Sequence, residues 1–271
     1  MSATATGELV AYVTGIGVRG PGLADWPQTQ AVLRAQQPYV RTDTLLPAPE
    51  SLPPTERRRT GRVVRLAFAI GLEAALHSDT DPARLPVVFA SSGGDGDNCH
   101  EICQTLASAQ RALSPTRFHN SVHNAPAGYW SIAAGTQVPS TTVCAYDASF
   151  AAGLLEALAQ LAVNGATTAL IAYDLDYPPP LRAARTVPAA FGLALVLQAR
   201  PQPRALALLR VGLGTAAADQ VAHHDLEALR ASIPAAQGLV LLEAIAQRRE
   251  ATVHIGYLEP QTLRVTVVPC A

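Results

Sequence analysis

The sequence predicts an α/β layered fold, and three observations predict it. Short continuous apolar runs at 86–90, 167–173 and 191–198 have the length and composition of strands buried on both faces. Helix-period stretches stand between and around them, at 55–77, 98–113 and from 148 to a stop at Asn164-Gly165. Two further runs, 251–258 and 263–268, flank Glu259-Pro260-Gln261-Thr262 and read as a closing hairpin. Strands separated by helices pack as a sheet covered on its faces. A chain of 271 residues with 49% hydrophobic content has enough apolar surface to build that core.

Residues 8–16 alternate into a first buried strand and run into Gly15-Ile16-Gly17-Val18-Arg19-Gly20. The spacing is that of a dinucleotide-binding loop, but such a loop must open directly into a helix. Here Pro21 and Gly22 follow, so a plain glycine turn is expected and no cofactor. Asp25 caps a short helix to Gln36. After a proline-rich connection at 38–54, a long helix over 55–77 buries Val64, Ala67, Phe68, Gly71, Leu72, Ala75 and Leu76. The Arg57-Arg58-Arg59 run on it is a solvated face, or else a patch for an acidic partner.

A strand at 86–90 leads through Ser91 to Asp97 into a helix capped by Asp97 or Asn98. Cys99, His100 and Cys103 lie on that helix. No second ligand pair at zinc spacing exists, so the thiols are expected in the core and no metal is expected. A β-rich run at 138–144 turns at Ala145-Tyr146-Asp147 into the helix that carries Gly153. Strands at 191–198 and 204–211 and helices at 226–232 and 239–249 complete the chain before the hairpin.

Composition excludes several functions. The net charge is −1, which gives no footprint for nucleic acid. All 20 basic residues are Arg, so Schiff-base chemistry and a P-loop lack their lysine. No apolar run reaches about 18 residues, so no membrane span is expected. Four unevenly spaced cysteines without a signal peptide suggest reduced thiols and a cytoplasmic protein.

Thr14-Gly15-Ile16-Gly17 ends one strand, Val88-Phe89-Ala90-Ser91-Ser92-Gly93 ends another, and two longer blocks follow. Residues 114–131 read Ser-Pro-Thr-Arg-Phe-His-Asn-Ser-Val-His-Asn-Ala-Pro-Ala-Gly-Tyr-Trp-Ser, and 149–157 read Ser-Phe-Ala-Ala-Gly-Leu-Leu-Glu-Ala. Together they resemble the β-ketoacyl synthases, most closely the short ketoacyl-synthase-like proteins of aryl-polyene and related type II fatty-acid or polyketide clusters. The resemblance implies one thiolase-like domain over 1–271, a mixed sheet with helices on its faces. Its family-like N-terminal half spans 8–208, and 209–271 form a strongly shortened C-terminal half. It also implies acyl carrier protein as a partner, and dimers through the strand before the active-site helix. Thr141, Thr142, Val143, Cys144, Tyr129 and Trp130 are the interface residues expected on that basis.

Catalytic members of that family carry a Cys at the strand-to-helix turn, with a Gly eight positions on. Counting back from Gly153 gives Ala145, with Cys144 one residue earlier and on the opposite side of the strand. Asp147, expected at the N-cap, would oppose a thiolate at Cys144. The two His and the Lys of the family's C-terminal half have no counterparts in 209–271. His119 and His123, spaced i and i+4, could share a helix face and pair with Asp147 or a ligand.

The expectation is therefore a catalytically inactive, chain-length-factor-type subunit. It would form a heterodimer with a complete ketosynthase, a homodimer being possible, with Tyr146 and Phe150 limiting the acyl tunnel. Two alternatives stand beside it. One is a minimal acyltransferase or condensing enzyme using Cys144 with His119 or His123 as base, and the other is a scaffold that binds acyl carrier protein.

Overall fold

The computed structural model describes residues 7–165 and 167–270. The first strand, β1 (Leu9–Arg19), becomes the middle of the molecule, flanked on either side by strands that come much later in the chain. Gly15 and Gly17 lie inside it and form no turn, which corrects the sequence expectation. A Cβ at either position would sit 2.0 Å from a backbone carbonyl, Ala74 O and Ile70 O respectively. The two glycines let a helix backbone lie directly on the strand.

That helix is the second half of the long one expected. Residues 55–77 do not form one helix: α2 (Pro54–Arg57) ends in a break at 58–61, and α3 (Arg62–His77) starts after it. Thr60 Oγ1 donates to Arg57 O at 2.8 Å and helps to close the break. The buried face of α3 includes Val64, Ala67, Phe68, Gly71 and Ala75, as its period predicts, but Leu72 is half-buried and Leu76 is 77% exposed. The first helix, α1 (Trp26–Leu33), is capped by Asp25, whose carboxylate accepts from Gln28 N at 2.7 Å. It stops three residues short of Gln36.

The four residues of β2 (Val87–Ala90) are all buried. The next helix, α4 (Gly96–Ala107), is capped by Asp95 rather than by Asp97 or Asn98. Two short helices follow, α5 (Pro115–Asn120) and α6 (Ala125–Ala134), then β3 (Ser140–Val143) and α7 (Ser149–Asn164). The strand β4 (Thr167–Asp174), the short α8 (Pro179–Ala184) and the strands β5 (Phe191–Gln198) and β6 (Ala207–Gly214) come next. The chain ends with α9 (His224–Ser232), α10 (Leu239–Ala246), β7 (Ala251–Gly256) and β8 (Thr262–Pro269).

All these strands form one eight-stranded sheet, ordered β3-β2-β4-β5-β1-β6-β8-β7. The first three run parallel because helices connect them, and the remaining pairings are antiparallel. Alternation along β4 divides the core. Ala169, Ile171 and Tyr173 pack with α3 and α6 on one face, and Leu170 and Ala172 pack with α7 on the other. The second layer continues over β6, β8 and β7 beneath α10, so the C-terminal strands extend the same sheet. Among the described residues no helix is long and apolar enough to cross a membrane.

Candidate functional site at the strand-to-helix junction

The parallel strands β2, β3 and β4 end side by side, and the loops leaving them form one cluster. In parallel sheets ligands collect at that end of the strands. At the exit of β3, Cys144 is exposed and its Sγ lies 3.5 Å from Ser92 O, the loop that leaves β2. A 3₁₀ turn over Tyr146–Ala148 then leads into α7, with Ala145 at its N-cap. Ser149 Oγ accepts from Ala145 N at 3.0 Å and donates to Tyr146 O at 2.7 Å, so a serine locks the turn. Tyr146 takes a left-handed backbone, φ 52°, and is 60% exposed. Further along α7, Gly153 lets the helix press on the sheet; a Cβ there would meet Ala90 Cβ at 2.6 Å.

Asp147 is not the cap expected of it. Its carboxylate is ion-paired with Arg185, so its charge does not stand free beside Cys144. Arg185 follows α8 and organises the site: its guanidinium lies 3.9 Å over the Tyr146 ring and donates to Tyr177 Oη at 3.1 Å and Ser92 Oγ at 3.3 Å. Burial works most strongly against its charge, but Asp147, Tyr177 and Tyr146 together outweigh it and raise the guanidinium above its usual range. Sequence reasoning missed this arginine, since nothing in the loop after Pro178-Pro179-Pro180 marks it.

Beneath it, Asp174 at the end of β4 is fully enclosed. It accepts from Ser92 N at 2.8 Å, Ser92 Oγ at 2.6 Å and Ala235 N at 2.9 Å. Burial pushes its carboxyl above the usual carboxylate range, against the opposing pull of Ser92, Ala235 N–H and Arg185. An acidic residue continuing an otherwise apolar strand was the available signal for it. The carboxylate joins the β2 exit loop to the 3₁₀ turn Pro234–Gly238 of the C-terminal segment.

The histidines are placed apart. His119 lies on α5, exposed and edge-on to Tyr129 at 6.0 Å between ring centroids. His123 falls in the turn between α5 and α6, not on a shared helix face, and its Nε2 lies 3.1 Å from Ser91 O. Neither ring reaches Asp147, and Cys144 has no base within hydrogen-bond distance among the described residues. Such a cluster can hold a backbone turn and screen a carboxylate; it does not assemble a thiolate–imidazole pair.

Three expected residues prove to be interior. Phe150 is 1% exposed and packs beside Gly238 and the core, so it has no surface to offer a tunnel. Tyr129 is buried with its Oη donating to Asn120 Oδ1 at 2.9 Å, and Trp130 packs edge-on against Phe68 and Phe89. Thr141, Thr142 and Val143 are half-exposed on β3, the end strand of the sheet. On the segment between β2 and β3 the structure exposes apolar side chains the sequence reading passed over: Leu106 on α4, Phe118 on α5, and Val122 beside His123.

A family model, β-ketoacyl synthase N-terminal domain, matches residues 26–258. The chain belongs to that family. Its fold is also that of solved ketosynthase structures. A chain from the complex of the ketosynthase ApeO with its chain length factor ApeC from Xenorhabdus doucetiae superposes with TM-score 0.72 at 22% identity, covering 95% of this chain and 99% of that one. A chain of the ishigamide ketosynthase/chain length factor gives TM-score 0.73 at 15% identity, with 97% and 100% covered. Ketosynthase twelve of the bacillaene polyketide synthase from Bacillus amyloliquefaciens gives 0.55 at 16% identity, and there the match spans 78% of this chain but 46% of that one. No curated protein matches the chain by sequence. At these identities the superpositions establish the thiolase-like ketosynthase fold.

Proposed function

We propose that the chain is the non-catalytic, chain-length-factor-type subunit of a ketosynthase pair in fatty-acid, aryl-polyene or polyketide assembly. The observation that carries this reading is the junction itself. The turn position eight residues before Gly153 holds Ala145, no base lies within hydrogen-bond distance of Cys144 among the described residues, and Arg185 is held against Tyr146 and Asp147 of that turn. The likeness along the whole length of chains from ketosynthase/chain length factor complexes supports it. In this reading β3, with Thr141, Thr142 and Val143, is the docking strand, and Tyr146, Phe118 and Val122 border the partner's acyl tunnel. Acyl carrier protein reaches the pair at the groove where Arg58, Arg59, Arg62 and Arg117 stand among Asp95, Asp97 and Glu101, two of which pair with Arg62 and Arg117. Co-expression with a complete ketosynthase from the same source tests the proposal. A stable heterodimer, and an idle or misdirected ketosynthase when this chain is omitted, are expected; two separate species and full activity without it would sink the idea.

The exposure of Cys144 keeps one enzymatic reading open to test, that of a minimal acyltransferase. Incubation with an acyl-carrier-protein thioester followed by intact-mass analysis decides it. No acyl adduct is expected; an adduct lost in Cys144→Ser would replace the proposal.

A further inference from the structure

Cys99 and Cys103 lie one turn apart on α4, and both are exposed, contrary to the core position the sequence suggested. The helix that carries them buries only Gly96 and Asn98, so this part of it stands in solvent. Spaced i and i+4 on one helix, the two side chains leave the same exposed face of α4. His100, their neighbour in sequence, lines the arginine groove, and among the described residues no third His, Cys, Asp or Glu joins them in a metal-sized cluster.

We propose that Cys99 and Cys103 form a two-thiolate site for a soft, thiophilic cation, with Cu(I) the ion that fits it. The choice follows from the donor set. Hard cations need a shell of oxygens. Structural zinc takes four ligands where this site has two. Soft thiolates select Cu(I), which is satisfied by a pair of sulfurs. Geometry disfavours the competing fate, a disulfide. Helical i, i+4 positions hold their Cβ atoms about 5–6 Å apart, whereas an S–S bond wants them at about 3.5–4.5 Å. A cation reached through two bonds of roughly 2.3 Å each spans the wider gap.

No redox step is involved. One Cu(I) replaces two S–H protons, leaving an anionic bis-thiolate complex and releasing two protons to solvent. The metal displaces those protons, so binding tightens as pH rises. The site is independent of the pairing proposed above, because it uses residues of this chain alone.

The test is competition for Cu(I), under anaerobic reducing conditions, between the full chain and a chromophoric Cu(I) chelator. The wild type should withhold one equivalent, more firmly at pH 8 than at pH 6. Cys99→Ser and Cys103→Ser should each weaken binding at least tenfold, while a Cys144→Ser/Cys270→Ser variant should keep it. Both helix positions are exposed, so the serine variants should fold, and circular dichroism checks that they do. If the wild type gives up Cu(I) as readily as the two serine variants, or if Cu(I) drives two chains into a dimer, the intrachain site is wrong.

Discussion

The sheet ends in two quite different edges. At one end β7 is the last strand, and its middle residue is answered from within the chain: Asp219 Oδ2 accepts from His254 N at 2.7 Å, and Asp219 N donates to His254 O at 2.9 Å. At the other end β3 pairs only with β2. The carbonyls of Pro139 and Val143 face inward, accepting from Val87 N at 3.3 Å and Ser91 N at 3.2 Å, so the alternate residues Ser140 and Thr142 point their backbone groups outward. Among the described residues nothing in the chain meets them. An unprotected strand edge invites another chain, and proteins that stay apart cover such edges. The difference teaches that the fold covers the middle of its late, C-terminal edge by itself and leaves its early one open.

The largest effect should come from breaking the open edge alone. Thr142→Pro removes an outward N–H and leaves the bonds to β2 in place, and edge strands tolerate proline. Affinity for the co-expressed ketosynthase should fall at least ~100-fold, about 2.7 kcal/mol, while the thermal melt of the isolated chain moves little. A variant that still co-purifies at wild-type stoichiometry would remove β3 from the interface.

Asp174 sits at the seam between the two ends, tying the β2 exit loop to the C-terminal 3₁₀ turn. Asp174→Asn leaves one of two backbone N–H donors without an acceptor, at a cost of about 2 kcal/mol. The pH dependence has a definite sign. The folded pKa is raised, so the native state holds this proton longer than the unfolded chain. Its contribution is fully present below the unfolded value, about 3.9, and is lost as pH rises through the folded one. Glu73 and Asp95, also raised by burial, act in the same direction, so the difference between wild type and Asp174→Asn isolates the one group. Denaturant melts from about pH 4 upward should show the gap between the two narrowing. A gap that widens with pH would mean that Asp174 is charged at little cost.

An exposed aromatic on α5 ranks next. Phe118 is 68% exposed, far above what an aromatic side chain costs to leave in water without reason. Phe118→Ser should weaken the complex roughly tenfold, about 1.4 kcal/mol, with no loss of monomer stability. Unchanged affinity combined with a longer product would assign Phe118 to the tunnel wall alone.

These residues also mark what the sequence could and could not reveal. The parallel strands 87–90 and 167–174 were legible because burial on both faces forces an unbroken apolar run, and Asp25 was legible because an N-cap is a local choice. The glycines at 15 and 17 were misread because their reason is a helix fifty residues away. The long helix over 55–77 hid its break because the arginines on either side of it are all good helix formers. Cys144 and Ala145 were found through spacing. Arg185 was not, because its partners Asp147, Tyr146, Tyr177 and Ser92 come from three different loops and meet only in the fold. The exposure of Phe118 was equally silent, since an aromatic in a recognised block reads as core until the packing is known.

The smallest effect should come at the closed edge, and it is the sharpest test of the comparison. Asp219→Ala removes the carboxylate that accepts from His254 N and leaves that one outward N–H of β7 to solvent. A lost surface hydrogen bond of this kind costs about 1 kcal/mol, a drop of a few degrees in Tm for a domain of this size. If protection of the edge is the residue's purpose, the variant should also self-associate at high concentration, seen as a concentration-dependent shift in sedimentation. Pairing with the ketosynthase should be unaffected, because β3 is at the opposite end of the sheet. Asp219→Asn, which keeps an acceptor oxygen for His254 N, should restore the monomer. If Asp219→Ala stays monomeric, the two edges differ in exposure but not in their readiness to bind, and the openness of β3 would then not by itself explain its choice of partner.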